Sequence, residues 1–173
     1  MKNLLFLFAT VLILSCCSTD DNKPKKPIDQ LPPATQTGAN TAGCLINGEA
    51  FLPKGTGIIL NCLYQDGLNF GLRITENMND TSRSIYISTL NQNLEIGKIY
   101  DLQEYNSKWG QFVVFTGGIG KDDYRTTLTI TGELKITNHN FSKAILSGTF
   151  WFDAVNSKGE KIQVREGRFD MEY

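Results

Sequence analysis

From Thr127 to Ile136 apolar and polar residues alternate without a break. Leu128, Ile130, Gly132, Leu134 and Ile136 fall in one phase; Thr127, Thr129, Thr131, Glu133 and Lys135 fall in the other. Successive side chains of an extended chain point to opposite faces, so the pattern predicts a strand with one dry and one wet side. The same period sets Leu68, Phe70, Leu72 and Ile74 against Asn69, Gly71, Arg73 and Thr75, and turns Leu146, Gly148, Phe150, Phe152 and Ala154 inward. No comparable window shows the i, i+3, i+4, i+7 spacing of an amphipathic helix. The expected fold is therefore all-β, an antiparallel meander closing into a barrel or folding into a two-sheet sandwich. Expected strands are 42–47, 49–52, 57–65, 68–76, 84–90, 98–102, 110–116, 125–137, 143–155 and 160–172.

Turn chemistry supports that reading. Asn47-Gly48 and Asp66-Gly67 are two-residue hairpin signals, because both residues of each pair tolerate positive φ. Lys158-Gly159 closes a third hairpin. In the last strand Ile162 and Val164 are apolar at even positions but Phe169, Met171 and Tyr173 at odd ones. The phase slips across Arg165-Glu166-Gly167, which predicts a β-bulge there with Gly167 taking the unusual backbone.

The first 41 residues read differently. Residues 1–15 form an export signal: Lys2 is the positive start, and Leu4 to Leu14 is an apolar run of 11 residues. That run is too short to span a membrane, which needs about 17–25 residues, and suits a signal peptide, which needs about 7–15. Ile13-Leu14-Ser15-Cys16 resembles a bacterial lipobox, with Cys16 as the lipidated residue of the mature chain. Ser18, Asp20 and Asp21 follow at once and resemble an acidic surface-export signal. Lipidation predicts palmitate-type acyl anchoring in the outer membrane, facing the cell surface or, alternatively, the periplasm. Residues 16–41 hold four of the five prolines and few apolar side chains, and are expected to be a disordered tether. The remaining span, 42–173, is expected to be one β domain.

Composition excludes several classes of chemistry. Seventeen Lys+Arg against 18 Asp+Glu leave a net charge of −1, with no basic stripe for nucleic acid. No Cys/His cluster has metal-ligand spacing, and neither a metal nor a cofactor is expected. Gly117-Gly118-Ile119-Gly120-Lys121-Asp122 lacks the spacing of a phosphate loop and reads as a glycine-rich hairpin loop. The single histidine, His139, is expected in an exposed polar turn. Cys44 and Cys62 are either a disulfide between neighbouring strands or two buried thiols. Asp153, Asp170 and Glu133 are the carboxylates available to a hydrolase, with Asp170 and Glu133 in the wet phase. Tyr105 and Trp109, in an expected loop 103–110, either offer a stacking surface for a glycan or partner protein or cover the barrel end.

PPATQTGANTAGCLINGEAFLPKG at 32–55 and SGTFWFDAVNSKGEKIQVREGRFDMEY at 147–173 resemble an uncharacterised family of short Bacteroidetes lipoproteins, a domain of unknown function. The resemblance implies a lipidated cell-envelope protein with a β-rich domain. It brings no catalytic residue. A weaker resemblance, at fold level only, is to lipocalin-like barrels, and a fold does not fix a function. The expected role is a membrane-anchored, non-catalytic binding or interaction module. The alternatives are a structural or assembly component of the outer membrane and a carboxylate-based hydrolase.

Overall fold

A computed structural model describes residues 25–103 and 107–173. The export signal, Cys16, Ser18, Asp20, Asp21 and Tyr105 lie outside the described residues.

The described chain is nearly all strand: β1 (Thr41–Ile46), β2 (Glu49–Phe51), β3 (Leu60–Gln65), β4 (Asn69–Met78), β5 (Thr81–Leu90), β6 (Ile99–Leu102), β7 (Lys108–Thr116), β8 (Ile119–Arg125), β9 (Gly132–Asn140), β10 (Ile145–Val155) and β11 (Lys161–Glu172). They form one antiparallel sheet in the order β2-β1-β11-β10-β8-β7-β5-β4-β3. The sheet forks at β10. Ile145 to Phe152 pairs with β9, which in turn holds β6, while Val155 pairs with Arg125 of β8. The whole curls into a half-barrel whose two sides pack face to face. Across that interior Phe70 of β4 stacks on Phe169 of β11 at 5.8 Å, and Phe51 of β2 meets Phe112 of β7 edge-on at 6.1 Å. Leu72, Ile74, Ile85, Ile87, Leu134, Ile136, Phe152 and Val164 are fully buried between them. The alternation thus places its apolar phase where it should, and the core is a layer of interdigitated side chains.

The turns follow the residues that favour them. Asn47 (φ 50°) and Gly48 (φ 89°) are both left-handed, and Ile46 faces Glu49 across them. Gly117 (φ 57°) and Gly118 (φ 76°) do the same between Thr116 and Ile119, so the glycine-rich segment is a hairpin. Asp66-Gly67 departs from expectation. The loop takes in Leu68 as well, since Gln65 pairs with Asn69, and Leu68 points into solvent rather than into the core.

Two strands differ from the alternation. The expected strand 125–137 is broken. Thr127 Oγ1 accepts from the backbone N–H groups of Thr129 and Ile130 at 3.3 and 3.0 Å, and Thr127 N–H donates to Ile130 O at 2.7 Å. A threonine hydroxyl offering these local bonds competes with the ladder. Leu128 sits at the tip of the resulting turn, 73% exposed. The residues before the turn belong to β8, which starts just after the glycine pair and carries Lys121, Asp122 and Asp123. Its charged composition hid it.

The bulge at 165–167 is present: Phe150 faces Gly167, Phe152 faces Val164, and β1 slips register against the same stretch. The left-handed residue is Glu166 (φ 56°), not Gly167. Gly167 serves space instead, because a Cβ there would lie 2.4 Å from the Phe150 ring.

The tether boundary moves. Pro27–Gln30 is a 3-10 turn, Leu31 is buried, and residues 35–39 are strapped across the end of the sheet. The buckle is Asp170. Its carboxylate accepts from Thr35 Oγ1 (2.6 Å), Thr37 N (2.9 Å), Gly38 N (2.9 Å), Ala39 N (3.1 Å) and Ser147 Oγ (2.7 Å). Asp170 has the outward phase that the alternation gives it, yet it is 1% exposed because the strap covers it. Asn40 Oδ1 adds a bond from Glu172 N at 3.0 Å. Residues 27–40 are therefore part of the folded domain, not free tether.

Candidate functional site

Sequence reasoning singled out Trp109, and the structure places it on β7 rather than in a loop. Its neighbours come from cross-strand pairing. Leu63, Gly71, Ser88 and Trp109 lie opposite one another on β3, β4, β5 and β7, and so do Asn61, Arg73, Tyr86 and Gln111. Both rows have the outward phase, since their chain neighbours Phe70, Leu72, Ile85 and Ile87 are core. Together with Ile58 they line a groove of about 440 Å³ on the outer face of the sheet. Three strand spacings, about 14 Å, separate the roots of Leu63 and Trp109.

Gly71 makes this a groove. A glycine inside a strand weakens it, and marks either a close backbone approach or an opening for something else. Most other strand glycines have packing reasons, with Gly120 at the β7–β8 register shift a further exception. A Cβ on Gly110, Gly132, Gly148 or Gly167 would lie 2.2–2.7 Å from a neighbouring atom. A Cβ on Gly71 would meet nothing within 4 Å, and its φ is not left-handed. Nothing in the fold requires glycine there, so its effect is to leave the floor open between Leu63 and Trp109. Ser88, the next residue of the row, keeps the floor low and donates its hydroxyl to Phe70 O at 2.9 Å.

Arg73 is the charged residue of the groove. Its NH2 donates to Ile58 O at 3.0 Å, which fixes the guanidinium on the rim. Its Nε is shielded from solvent with no hydrogen-bond partner. Gln111 donates its Nε2 to Asp123 at 2.8 Å.

Two other clefts are crossed by polar groups paired with each other. One, of about 580 Å³, lies beside Trp151, whose Nε1 donates to Glu133 at 3.1 Å; Arg165 covers its ring at 5.3 Å while holding Asp153 at 2.6 Å. The other, of about 900 Å³, lies by the β7–β8 hairpin and is laced by Lys158–Asp122 at 3.3 Å and Arg125–Asp123 at 2.6 Å.

The remaining sequence candidates have structural settings. Glu133, Asp153 and Asp170, the carboxylates a hydrolase would draw on, are engaged by Trp151, Arg165 and the strap in turn. Burial pushes the Asp170 carboxyl up, but the bonds from Thr35, Thr37, Ser147 and Gly38 outweigh it and hold it well below the usual carboxylate range. His139 is not in an exposed turn. It is 8% exposed on β9, stacked on Phe141 at 3.9 Å, with Nδ1 donating to Leu94 O at 2.9 Å, so Nε2 accepts from Tyr173 Oη at 3.2 Å. Cys44 and Cys62 are free, buried thiols. Their strands are not neighbours, since β1 pairs with β2 and β11 while β3 pairs with β4. Burial pushes both thiols up, Cys62 to about 12. Among the described residues no group of three or more His, Cys, Asp or Glu is placed to hold a metal ion.

Fold and groove together define a class: an antiparallel β half-barrel with a filled core and an open trough on its outer face. Residues 71–171, more than half the chain, match the family described as domain of unknown function DUF6252, and the chain belongs to that family. The match runs from β4 to β11 and so takes in Gly71, Arg73, Tyr86, Trp109, Gln111 and Asp170. No curated protein and no solved structure matches the chain.

Proposed function

We propose that this chain is a lipid-anchored lipoprotein of the cell envelope that binds saccharide in the Trp109 groove without transforming it. The observation that carries the binding role is the open floor at Gly71. It is a costly residue for a strand, with no packing reason to be there, and it lies between an aromatic wall and a polar row. Trp109 and Tyr86 supply flat apolar surface for a sugar ring, while Asn61, Ser88 and Gln111 supply hydrogen-bonding groups for hydroxyls. The non-catalytic reading is supported by Glu133, Asp153 and Asp170, the three carboxylates a hydrolase would draw on, each of which already has a partner. The anchor rests on the lipobox at Cys16, and surface display on Ser18, Asp20 and Asp21. Bacteroidetes envelope origin rests on the sequence resemblance at 32–55 and 147–173.

The test uses the full-length protein from bacterial membranes. Cys16→Ala is expected to abolish acyl labelling and release the chain from the membrane fraction. Asp20→Ala with Asp21→Ala is expected to leave it lipidated but shielded from added protease in whole cells. Glycan-array binding by the detergent-solubilised wild type should disappear in Gly71→Val and in Trp109→Ala without loss of folded structure. A wild-type chain that binds no saccharide refutes the binding role, whatever the anchor does.

A further inference from the structure

The binding role proposed above leaves the ligand class open, and the arginines narrow it. The chain has five. Four hold a carboxylate: Arg83 on Glu76, Arg125 on Asp123, Arg165 on Asp153 and Arg168 on Glu166. Among the described residues Arg73 is the one without such a partner, and it is the one in the groove. Among the described residues no acidic side chain lines that groove.

The guanidinium is also prepared. Its NH2 is held on Ile58 O, so the plane of the fork is set before any ligand arrives. The cost of ordering a long side chain has already been met by the fold. Its Nε is cut off from water without a hydrogen bond, which is unfavourable for a charged donor group. A planar fork with spare N–H groups and no local anion is complementary to a carboxylate, which it can bind through two parallel bonds. Among the described lining residues Arg73 is the one cation, which suits one negative charge rather than several. Tyr86, directly opposite Arg73 on β5, and Trp109, one row further on β7, then lie where the ring bearing that carboxylate would rest.

We infer that the groove takes an acidic saccharide, a uronate whose ring carboxylate sits on Arg73 and whose ring packs on the Tyr86–Trp109 wall. This rests on the groove being a saccharide site. The rim charge therefore sets specificity, and the aromatic wall sets affinity.

The experiment compares uronate oligosaccharides (galacturonic, glucuronic and mannuronic) with their carboxyl-reduced, neutral counterparts and with sulfated neutral oligosaccharides. Titration calorimetry on the full-length protein in detergent is the readout. At least one uronate is expected to bind about tenfold or more tightly than its neutral counterpart, as one charge-assisted bidentate pair implies. That preference should shrink with added salt. Arg73→Gln should erase it, bringing the uronate down to the affinity of its neutral counterpart. Arg73→Lys, which keeps the charge and loses the fork, should retain only part of it. Equal affinity for acid and neutral forms, or preference for the sulfated ones, overturns the uronate assignment and leaves the binding role standing. No saccharide binding at all overturns both. Melting temperatures within about 2 °C of wild type for the Arg73 variants separate loss of recognition from loss of fold.

Discussion

Asp170→Asn is a near-isosteric change that should cost far more than its shape implies. One carboxylate oxygen takes Thr35 Oγ1, Thr37 N and Ala39 N, with Thr37 Oγ1 further out at 3.3 Å; the other takes Gly38 N and Ser147 Oγ. All of these groups donate. An amide keeps one acceptor and turns the other position into a donor. In the milder orientation the NH2 faces Gly38 N–H and Ser147, whose hydroxyl can rotate to accept while the backbone N–H cannot. One buried N–H is then orphaned, at about 1–3 kcal/mol, and the surviving bonds lose their charge assistance, roughly 1 kcal/mol each before compensation. These terms are not additive, and the sum is about 3–5 kcal/mol. With about 2.1 cal/mol/K per residue, that lowers the melting temperature by roughly 10–15 °C if the strap and barrel unfold together. Chemical denaturation measures the loss, and hydrogen exchange at Thr37, Gly38 and Ala39 shows whether the strap opens first. The pH dependence has a definite sign. The native carboxyl titrates below the unfolded one, so its contribution is complete above the usual carboxylate range and fades as pH falls through about 4 towards the native value. The gap between wild type and variant should be flat from about pH 7 to pH 5 and narrow below that. A loss under about 1 kcal/mol with strap exchange unchanged would refute the claim that this carboxylate fastens the segment.

Gly71→Val should hold or raise stability by about 0.5–1 kcal/mol, because a strand gains from a β-branched residue and the added atoms meet open space; a drop in melting temperature of several degrees would contradict the packing argument. Gly132→Ala should do the opposite, costing about 1–3 kcal/mol or more in urea unfolding, since its Cβ would lie 2.2 Å from Trp151 O. Cys44 and Cys62 should resist thiol reagents at pH 8 until the chain is unfolded, when peptide mapping finds both labelled; rapid labelling of the native protein would show them accessible.

The strand pattern was legible because one face of a curled sheet is buried and the other is not. The phases of Phe70, Leu72, Ile74, Phe150, Phe152 and Ala154 follow directly from that. Even the bulge at Arg165-Glu166-Gly167 could be read from a phase slip, although the reason for Gly167, the Phe150 ring lying against it, is a tertiary fact. Strand β8 was hidden because its residues are charged on both faces and its pairing is set by the β7 hairpin. Thr127 ended a run that looked uninterrupted because hydroxyl-to-backbone bonding leaves no trace in a hydrophobic pattern. The groove was half legible. Trp109 stood out as an aromatic, but its partners are assembled by register across four strands. The available signal was a glycine in the wet phase of a strong strand, Gly71 followed two positions on by Arg73.

Asp170 shows why phase and wetness are separate questions. The alternation put it on the outer face, correctly, and solvent exposure was inferred from that. A segment 130 residues earlier, rich in Pro and Thr and lacking any period, supplies the cover. Such a segment cannot fold alone, since it has no apolar face to bury. It is ordered because Thr37, Gly38 and Ala39 present three backbone N–H groups to one carboxylate, an arrangement that suits an anion. In the anchored form proposed above, the consequence is geometric. From Cys16 to Lys26 the chain can span at most about 35 Å, whereas release of the strap up to Asn40 would allow roughly 85 Å. One buried carboxylate therefore decides how far from the lipid the groove can reach, and Asp170→Asn should extend that reach as well as destabilise the domain. Energy transfer from a membrane dye to a fluorophore on the domain would register the change as a drop in efficiency; an unchanged efficiency with the strap demonstrably open would mean that something other than this buckle holds the domain near the membrane.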